Sequence, residues 1–223
     1  MSWRDYFNLA GLPSGNYRSI AGYAAESLAI GRALQCGYNL FFKAWRDSPY
    51  DVVLDYDGVL FRVEIKGTRV NGLSVTSGRR SGKQIRRDAE DRSHIISTEQ
   101  ADFLLGVNNL NGDCYIIHTE LLSIFNQQSL SLEKIQLFKE KWQIFKGYIS
   151  NGQQIFTPND MRLGFLNRPL TDLQNIATTL SIQFSSTSNT VNWPGFRGNR
   201  LSNLTLAQFL ALEIWKRILI EHL

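Results

Sequence analysis

Pro49-Tyr50-Asp51-Val52-Val53-Leu54-Asp55-Tyr56-Asp57-Gly58-Val59-Leu60-Phe61-Arg62-Val63-Glu64-Ile65-Lys66 is the stretch on which the fold turns. Asp57-Gly58 sits between two runs rich in β-branched and aromatic residues, the strongest short-range signal for a two-residue hairpin. A two-residue turn fixes the register. Tyr56 faces Val59, Leu54 faces Phe61, Val52 faces Val63 and Tyr50 faces Ile65. Side chains alternate along a strand, so these eight share one face, and every one of them is apolar or aromatic. A slip of one residue would mix polar and apolar groups on that face, so the pattern supports the register independently of the turn.

The same register sets Asp51 opposite Glu64 on the other face, with Cβ atoms expected about 4.5–5.5 Å apart. Lys66 follows on the Glu64 side of the strand. Two carboxylates held so close resist joint ionisation, and a divalent cation removes the conflict. Magnesium favours carboxylate and carbonyl oxygens together with water. A lysine beside such an ion can orient a water and offset charge on a phosphate. The plain alternative is a solvated ion cluster on an ordinary hairpin.

Outward from the hairpin, Ser19 to about Gln35 reads as an Ala-, Leu- and Ile-rich helix with Gly37 at its end. Residues 1–18 read as an arm, with turn residues at Gly11, Pro13, Ser14 and Gly15. Tyr38–Trp45 reads as a strand closed by Asp47-Ser48-Pro49. Downstream, 67–82 reads as an exposed loop and 83–96 as a charged helix. Asp102–Asn108 and Cys114–His118 read as two further strands. Ser131–Tyr148 reads as one long helix, 151–200 as a polar region with scattered Gly, Pro and Asn, and 204–222 as a closing helix. The organisation is thus an arm (1–18), an α/β core with a mixed sheet (19–122) and a mainly helical C-terminal extension (123–223) for recognition or dimerisation.

Bulk composition bounds the partners. The chain has 223 residues, 43% hydrophobic and 12% aromatic, with net charge +4. It can build a core, and the mild basic excess suits a polyanionic partner. Two cysteines far apart exclude a disulfide framework or a structural zinc site. The start Met-Ser-Trp-Arg-Asp-Tyr lacks a signal peptide's apolar run, and no stretch has the roughly 18 apolar residues of a membrane span. The expectation is a soluble, cytoplasmic protein with no membrane partner.

The spacing from Pro49 and Asp51 to Glu64-Ile65-Lys66, with Glu64 thirteen positions after Asp51, resembles the PD-(D/E)XK nuclease superfamily, which includes type II restriction endonucleases, intron-encoded homing endonucleases and Holliday junction resolvases. One residue separates the Pro from the Asp here. The resemblance covers roughly residues 19–122. It implies a restriction-endonuclease-like core in which Asp51, Glu64 and the backbone carbonyl of Ile65 bind Mg2+ (Mn2+ substituting), and Lys66 acts on the attacking water. Hydrolysis would then leave 5′-phosphate and 3′-hydroxyl ends. Glu26 fits the superfamily's upstream acid; the alternative for Glu26, on an apolar helix face, is pairing with Lys43 or Arg46. Gln84 stands where some members carry a Gln near the metal.

The partner so implied is double-stranded DNA. Arg69, Arg79, Arg80, Lys83, Arg86 and Arg87 follow the hairpin and could track phosphates, or form a solvated helix with internal charge pairs. Asn192, Arg197 and Arg200 flank Trp193 and Phe196, either as a loop reading base edges or as a packing loop. His94 and His118 lack metal-ligand spacing. A two-fold DNA site calls for a two-fold protein, so a homodimer or homotetramer is expected. The leading function is a sequence-specific double-strand endonuclease. The alternatives are a structure-selective nuclease and a DNA-binding protein without cleavage.

Overall fold

The computed structural model describes residues 14–43, 48–77, 93–184, 190–191, 193 and 204–221. Among the described residues the first element is helix α1 (Ser14–Gln35), which starts earlier than the expected Ser19. It ends because Gly37, at φ 84°, takes the left-handed conformation that favours glycine. The Tyr38 amide then bonds the Ala33 carbonyl and the Gly37 amide bonds that of Leu34, the pairing of a Schellman cap.

The hairpin forms as the sequence dictates. β1 (Asn39–Phe42), β2 (Val52–Tyr56) and β3 (Val59–Thr68) run antiparallel in turn. Asp57 and Gly58 both have positive φ, as a tight primed turn requires. Val52↔Val63, Leu54↔Phe61 and Tyr56↔Val59 pair as expected, but the ladder stops there, and Tyr50 does not pair with Ile65. The Asp51 side chain, accepting from the Ile65 amide at 2.8 Å, takes the N–H that a continued ladder would give to residue 50.

Short strands β4 (Gly72–Ser74), β5 (Thr76–Ser77) and β6 (His94–Ile95) lead to β7 (Phe103–Asn108), which lies parallel to β3, and to β8 (Cys114–His118), antiparallel to β7. The result is a mixed five-stranded sheet in the order β1-β2-β3-β7-β8. The chain is therefore α/β with a mixed central sheet. The segment expected as an exposed loop carries buried Leu73 and Val75, and the Leu73 side chain fills the space over Gly106. His94–Ile95, expected in a helix, pairs with β5 instead; the rest of that expected helix lies outside the described residues.

One face of the sheet presents Val52, Leu54, Val63, Ile65 and Leu105, and α1 packs on it through Ala29 and Ala33, joined by Trp142 and Phe145. Alanines repeating every four residues (Ala25, Ala29 and Ala33, all buried) form a smooth stripe that lets the helix lie close. Closest of all is Gly67, where a Cβ would come within 2.6 Å of the Ala25 Cβ.

The chain continues through α2 (Thr119–Phe125), β9 (Ser129–Ser131), β10 (Tyr148–Ser150), β11 (Gln153–Phe156), α3 (Pro158–Leu163), α4 (Leu170–Thr179) and α5 (Leu206–Glu221). Residue 122 thus falls inside α2, and β9 returns to pair with β4. The long helix expected over Ser131–Tyr148 does not form. Leu132, Ile135, Phe138, Trp142 and Phe145 are buried at helix-like spacing, but Leu132 and Ile135 lie in a turn and the other three on two separate 3-10 turns, Gln136–Phe138 and Trp142–Lys146. The sheet edge overrides the periodicity. Lys139 bridges to Tyr115 of β8, the Glu140 amide bonds the Cys114 carbonyl at 2.8 Å, and Glu140 sits at φ 53°, which no α-helix accommodates.

A buried carboxylate ties the C-terminal half to the sheet. Glu120, 3% exposed, accepts from the amides of Phe165 and Leu166 at 2.9 Å and from the Trp215 indole. Next to it His118 ends β8 and caps α2, as a strand-closing residue. Its Nδ1 accepts from the Glu120 amide at 3.3 Å, so Nε2 carries the ring proton and donates to the Arg162 carbonyl at 3.1 Å.

Candidate metal and nuclease site

The site lies where β2 gives way to side-chain bonding with β3. Asp51 precedes β2, Glu64 and Lys66 lie on β3, and Lys43 follows β1. Each carboxylate carries an ammonium partner. Lys43 Nζ donates to Asp51 Oδ1 at 2.5 Å, and Lys66 Nζ donates to Glu64 Oε1. The second Asp51 oxygen is held by the Ile65 amide. The Val63 carbonyl, two residues earlier, accepts from the Asp51 amide. Backbone N–H and C=O of one strand residue point to the same neighbour, so the Ile65 carbonyl also faces the Asp51 side.

Burial separates this site from a solvated ion cluster. Glu64 is 7% exposed, and the Asp51 side chain 12%. The Glu64 carboxyl is pushed up to about 7, first by burial and then by the Asp51 carboxylate within hydrogen-bonding reach, against the opposing pull of Lys66. An acid held this way is poised for relief by a cation. Glu26, half-buried on α1, is raised by burial and by Asp51, and lowered by Lys43 and Lys66. It therefore belongs to the same electrostatic group. Lys43 bonds Asp51, so the expected alternative of a Lys43–Glu26 pair is replaced by a longer-range attraction; Arg46 lies outside the described residues.

These residues suit a hard divalent ion in their donor chemistry: two adjacent carboxylates and a main-chain carbonyl on one side, the kind of set that magnesium completes with water. Among the described residues, no three His, Cys, Asp or Glu side chains are gathered closely enough to hold a metal by themselves. The fit therefore depends on the Ile65 carbonyl and on water, with Glu26 standing further off.

Of the expected DNA contacts, Arg69 lies half-buried just beyond β3. Arg79, Arg80, Lys83, Gln84, Arg86, Arg87, Asn192, Arg197 and Arg200 lie outside the described residues. Trp193 is buried and stacks on Phe138, with ring centroids 5.6 Å apart and planes at 18°, which makes it a packing residue. No helix among the described residues is long and apolar enough to cross a membrane. The site residue that the sequence offered only as an alternative partner of Glu26 is Lys43, which bonds Asp51 instead. Its bond to Asp51 joins strands either side of the Asp47-Ser48-Pro49 break, and only a correct β1–β2 pairing would have revealed it.

No protein-family model matches the chain, and no curated protein does. Among solved structures it is similar to that of a bacterial homing endonuclease, I-Ssp6803I, at 18% identity and a TM-score of 0.48, the match covering 57% of this chain and 91% of that one.

Proposed function

We propose that this chain is a magnesium-dependent, sequence-specific double-strand DNA endonuclease of the restriction or homing type, acting as a homodimer or homotetramer. The observation that carries the reading is Glu64: a nearly buried acid, raised to about 7 beside a second carboxylate, with a lysine on the same strand. Burying such a group is costly, and functional sites are where such costs concentrate.

In this reading Asp51, Glu64 and the Ile65 carbonyl hold the ion, with Mn2+ as a substitute. Bound there, it would supply Lewis acidity and a water of lowered pKa. The Lys66 ammonium leaves Glu64 to hold the attacking water and to meet the negative charge that grows on the phosphate. Water adds to phosphorus, the bond to the 3′ oxygen breaks, and that oxygen takes up a proton. The products are a 5′-phosphate and a 3′-hydroxyl. Glu26 strengthens the negative field that draws a cation in. When all five groups are ionised, three carboxylates face two ammoniums, leaving one negative charge. A divalent ion reverses the sign, and a phosphodiester restores neutrality. Arg69, Arg79, Arg80, Lys83, Gln84, Arg86 and Arg87 would hold the DNA backbone, and Asn192, Arg197 and Arg200 would reach the bases.

The test is incubation of supercoiled plasmid with the wild type, Lys66→Ala and Glu64→Gln, in Mg2+ and in EDTA. The wild type in Mg2+ should give discrete linear fragments, whereas both variants retain DNA binding but do not cleave. A smear, or cleavage confined to branched substrates, would remove sequence specificity. Absence of any cleavage in Mg2+ or Mn2+ across a broad panel of DNA substrates would remove the enzyme.

A further inference from the structure

The nuclease reading counts Lys43 only in the charge balance and gives its contact with Asp51 no role. This lysine reaches Asp51 from a different strand, and its ammonium is drawn by all three acids. Its Nζ sits on Asp51 Oδ1 at 2.5 Å, and Glu64 and Glu26 act on the same ammonium from nearby. Its position among them is where a cation would stand. Of the two Asp51 oxygens, Oδ2 is committed to the Ile65 amide at 2.8 Å. Oδ1 is the one left to face an ion, and Lys43 Nζ holds it at 2.5 Å. A divalent ion and an ammonium both in contact with one oxygen repel each other strongly.

We infer that Lys43 is a built-in cation that keeps Asp51 neutralised until a divalent ion takes its place, so that metal binding here is an exchange of ammonium for ion. The inference rests on the reading of Asp51 and Glu64 as a divalent-ion site. Lys66 is less suited to this role, because it lies two residues from Glu64 on the same strand and remains beside the site whatever Asp51 binds. Lys43 comes from beyond the end of an edge strand, and its side chain, 29% exposed, has solvent to swing into. The exchange lowers metal affinity, because the ion must break an ion pair before it binds. In return, the resting site avoids two unrelieved carboxylates.

The test uses Mn2+ alone, without DNA, with free Mn2+ followed by electron paramagnetic resonance. The proteins are the wild type, Lys43→Met, Lys43→Gln as a second variant, and Lys139→Met. The last removes the same charge from a pair with Asp113 (2.7 Å) at the far edge of the sheet. Melting curves confirm that each is folded. Deleting one charge-assisted competitor should tighten Mn2+ binding by about tenfold or more. The gain should vanish when Asp51→Asn is added, and Lys139→Met should bind as the wild type does. A gain in both Lys43 variants no larger than that of Lys139→Met overturns the inference while leaving the metal site standing. No Mn2+ binding by the wild type or any variant removes the metal site and this inference together. A merely structural role for Lys43 would weaken binding or leave it unchanged, not tighten it.

Discussion

Glu64→Gln should make the protein more stable, and only above acidic pH. The Glu64 carboxyl is raised from 4.5 to about 7, so the folded chain holds that proton more tightly than the unfolded one. For an acid shifted upward, stability is undiminished below about pH 4.5, falls as pH rises towards 7, and stays reduced beyond. At 1.36 kcal/mol per pH unit, the full penalty is about 3 kcal/mol. The amide that replaces the carboxyl carries no charge to bury, can still accept from Lys66 and can donate to Asp51. Lys66 loses its counter-charge, which discounts the gain to about 2 kcal/mol. For a chain of this length that corresponds to about 4–8 °C in melting temperature at pH 8, while at pH 4.5 the change should stay under about 1 °C. Thermal unfolding in EDTA at the two pH values reads it. An equal gain at both pH values, or a loss at pH 8, would refute the view of Glu64 as an acid ionised against its surroundings. Stability gained this way should coincide with abolished cleavage, as it does where a site is held under electrostatic tension.

Gly67→Ala would drive a methyl to 2.6 Å from Ala25 and 2.9 Å from Asn109 Nδ2; it should cost about 1–3 kcal/mol and reduce cleavage by displacing α1 and Glu26. Gly22→Ala, on the same helix with nothing within 4 Å, should instead stabilise by up to about 1 kcal/mol, both read by denaturant melts. Glu120→Leu would strand the amides of Phe165 and Leu166 and the Trp215 indole; it should lower stability by about 3–5 kcal/mol, and a change under about 1 kcal/mol would contradict the latch. Combined Ala substitution of Arg79, Arg80, Arg86 and Arg87 should weaken DNA binding and flatten its salt dependence, by about 0.9 in log–log slope for each phosphate no longer neutralised; unchanged affinity would remove that segment from the binding surface.

The central hairpin was legible because two local signals agreed: Asp57-Gly58 set the turn, and six apolar partners confirmed the register. That agreement carried Asp51, Glu64 and Lys66 to one place. Glu26 was legible as a carboxylate on an apolar helix face that needed company. Where the reading failed, tertiary contacts outweighed local pattern. Leu132, Ile135, Phe138, Trp142 and Phe145 repeat at helical intervals, yet Lys139 and Glu140 bond to the edge of β8 and break the helix. Leu73 and Val75 sit in a stretch rich in Gly, Ser and Thr, yet both are buried, Leu73 in the space that Gly106 on another strand leaves for it. Lys43 could not be assigned to Asp51 before the β1–β2 pairing was known, since Asp47-Ser48-Pro49 gives no register.

The most direct measurement is an anomalous difference map from a crystal of the protein with a DNA duplex and Mn2+. A peak bonded to the Asp51 and Glu64 carboxylates and the Ile65 carbonyl, with Lys43 moved off Asp51, is the predicted result. A map with no peak there, or with the ion on other residues while the two lysine pairs stay intact, would contradict it.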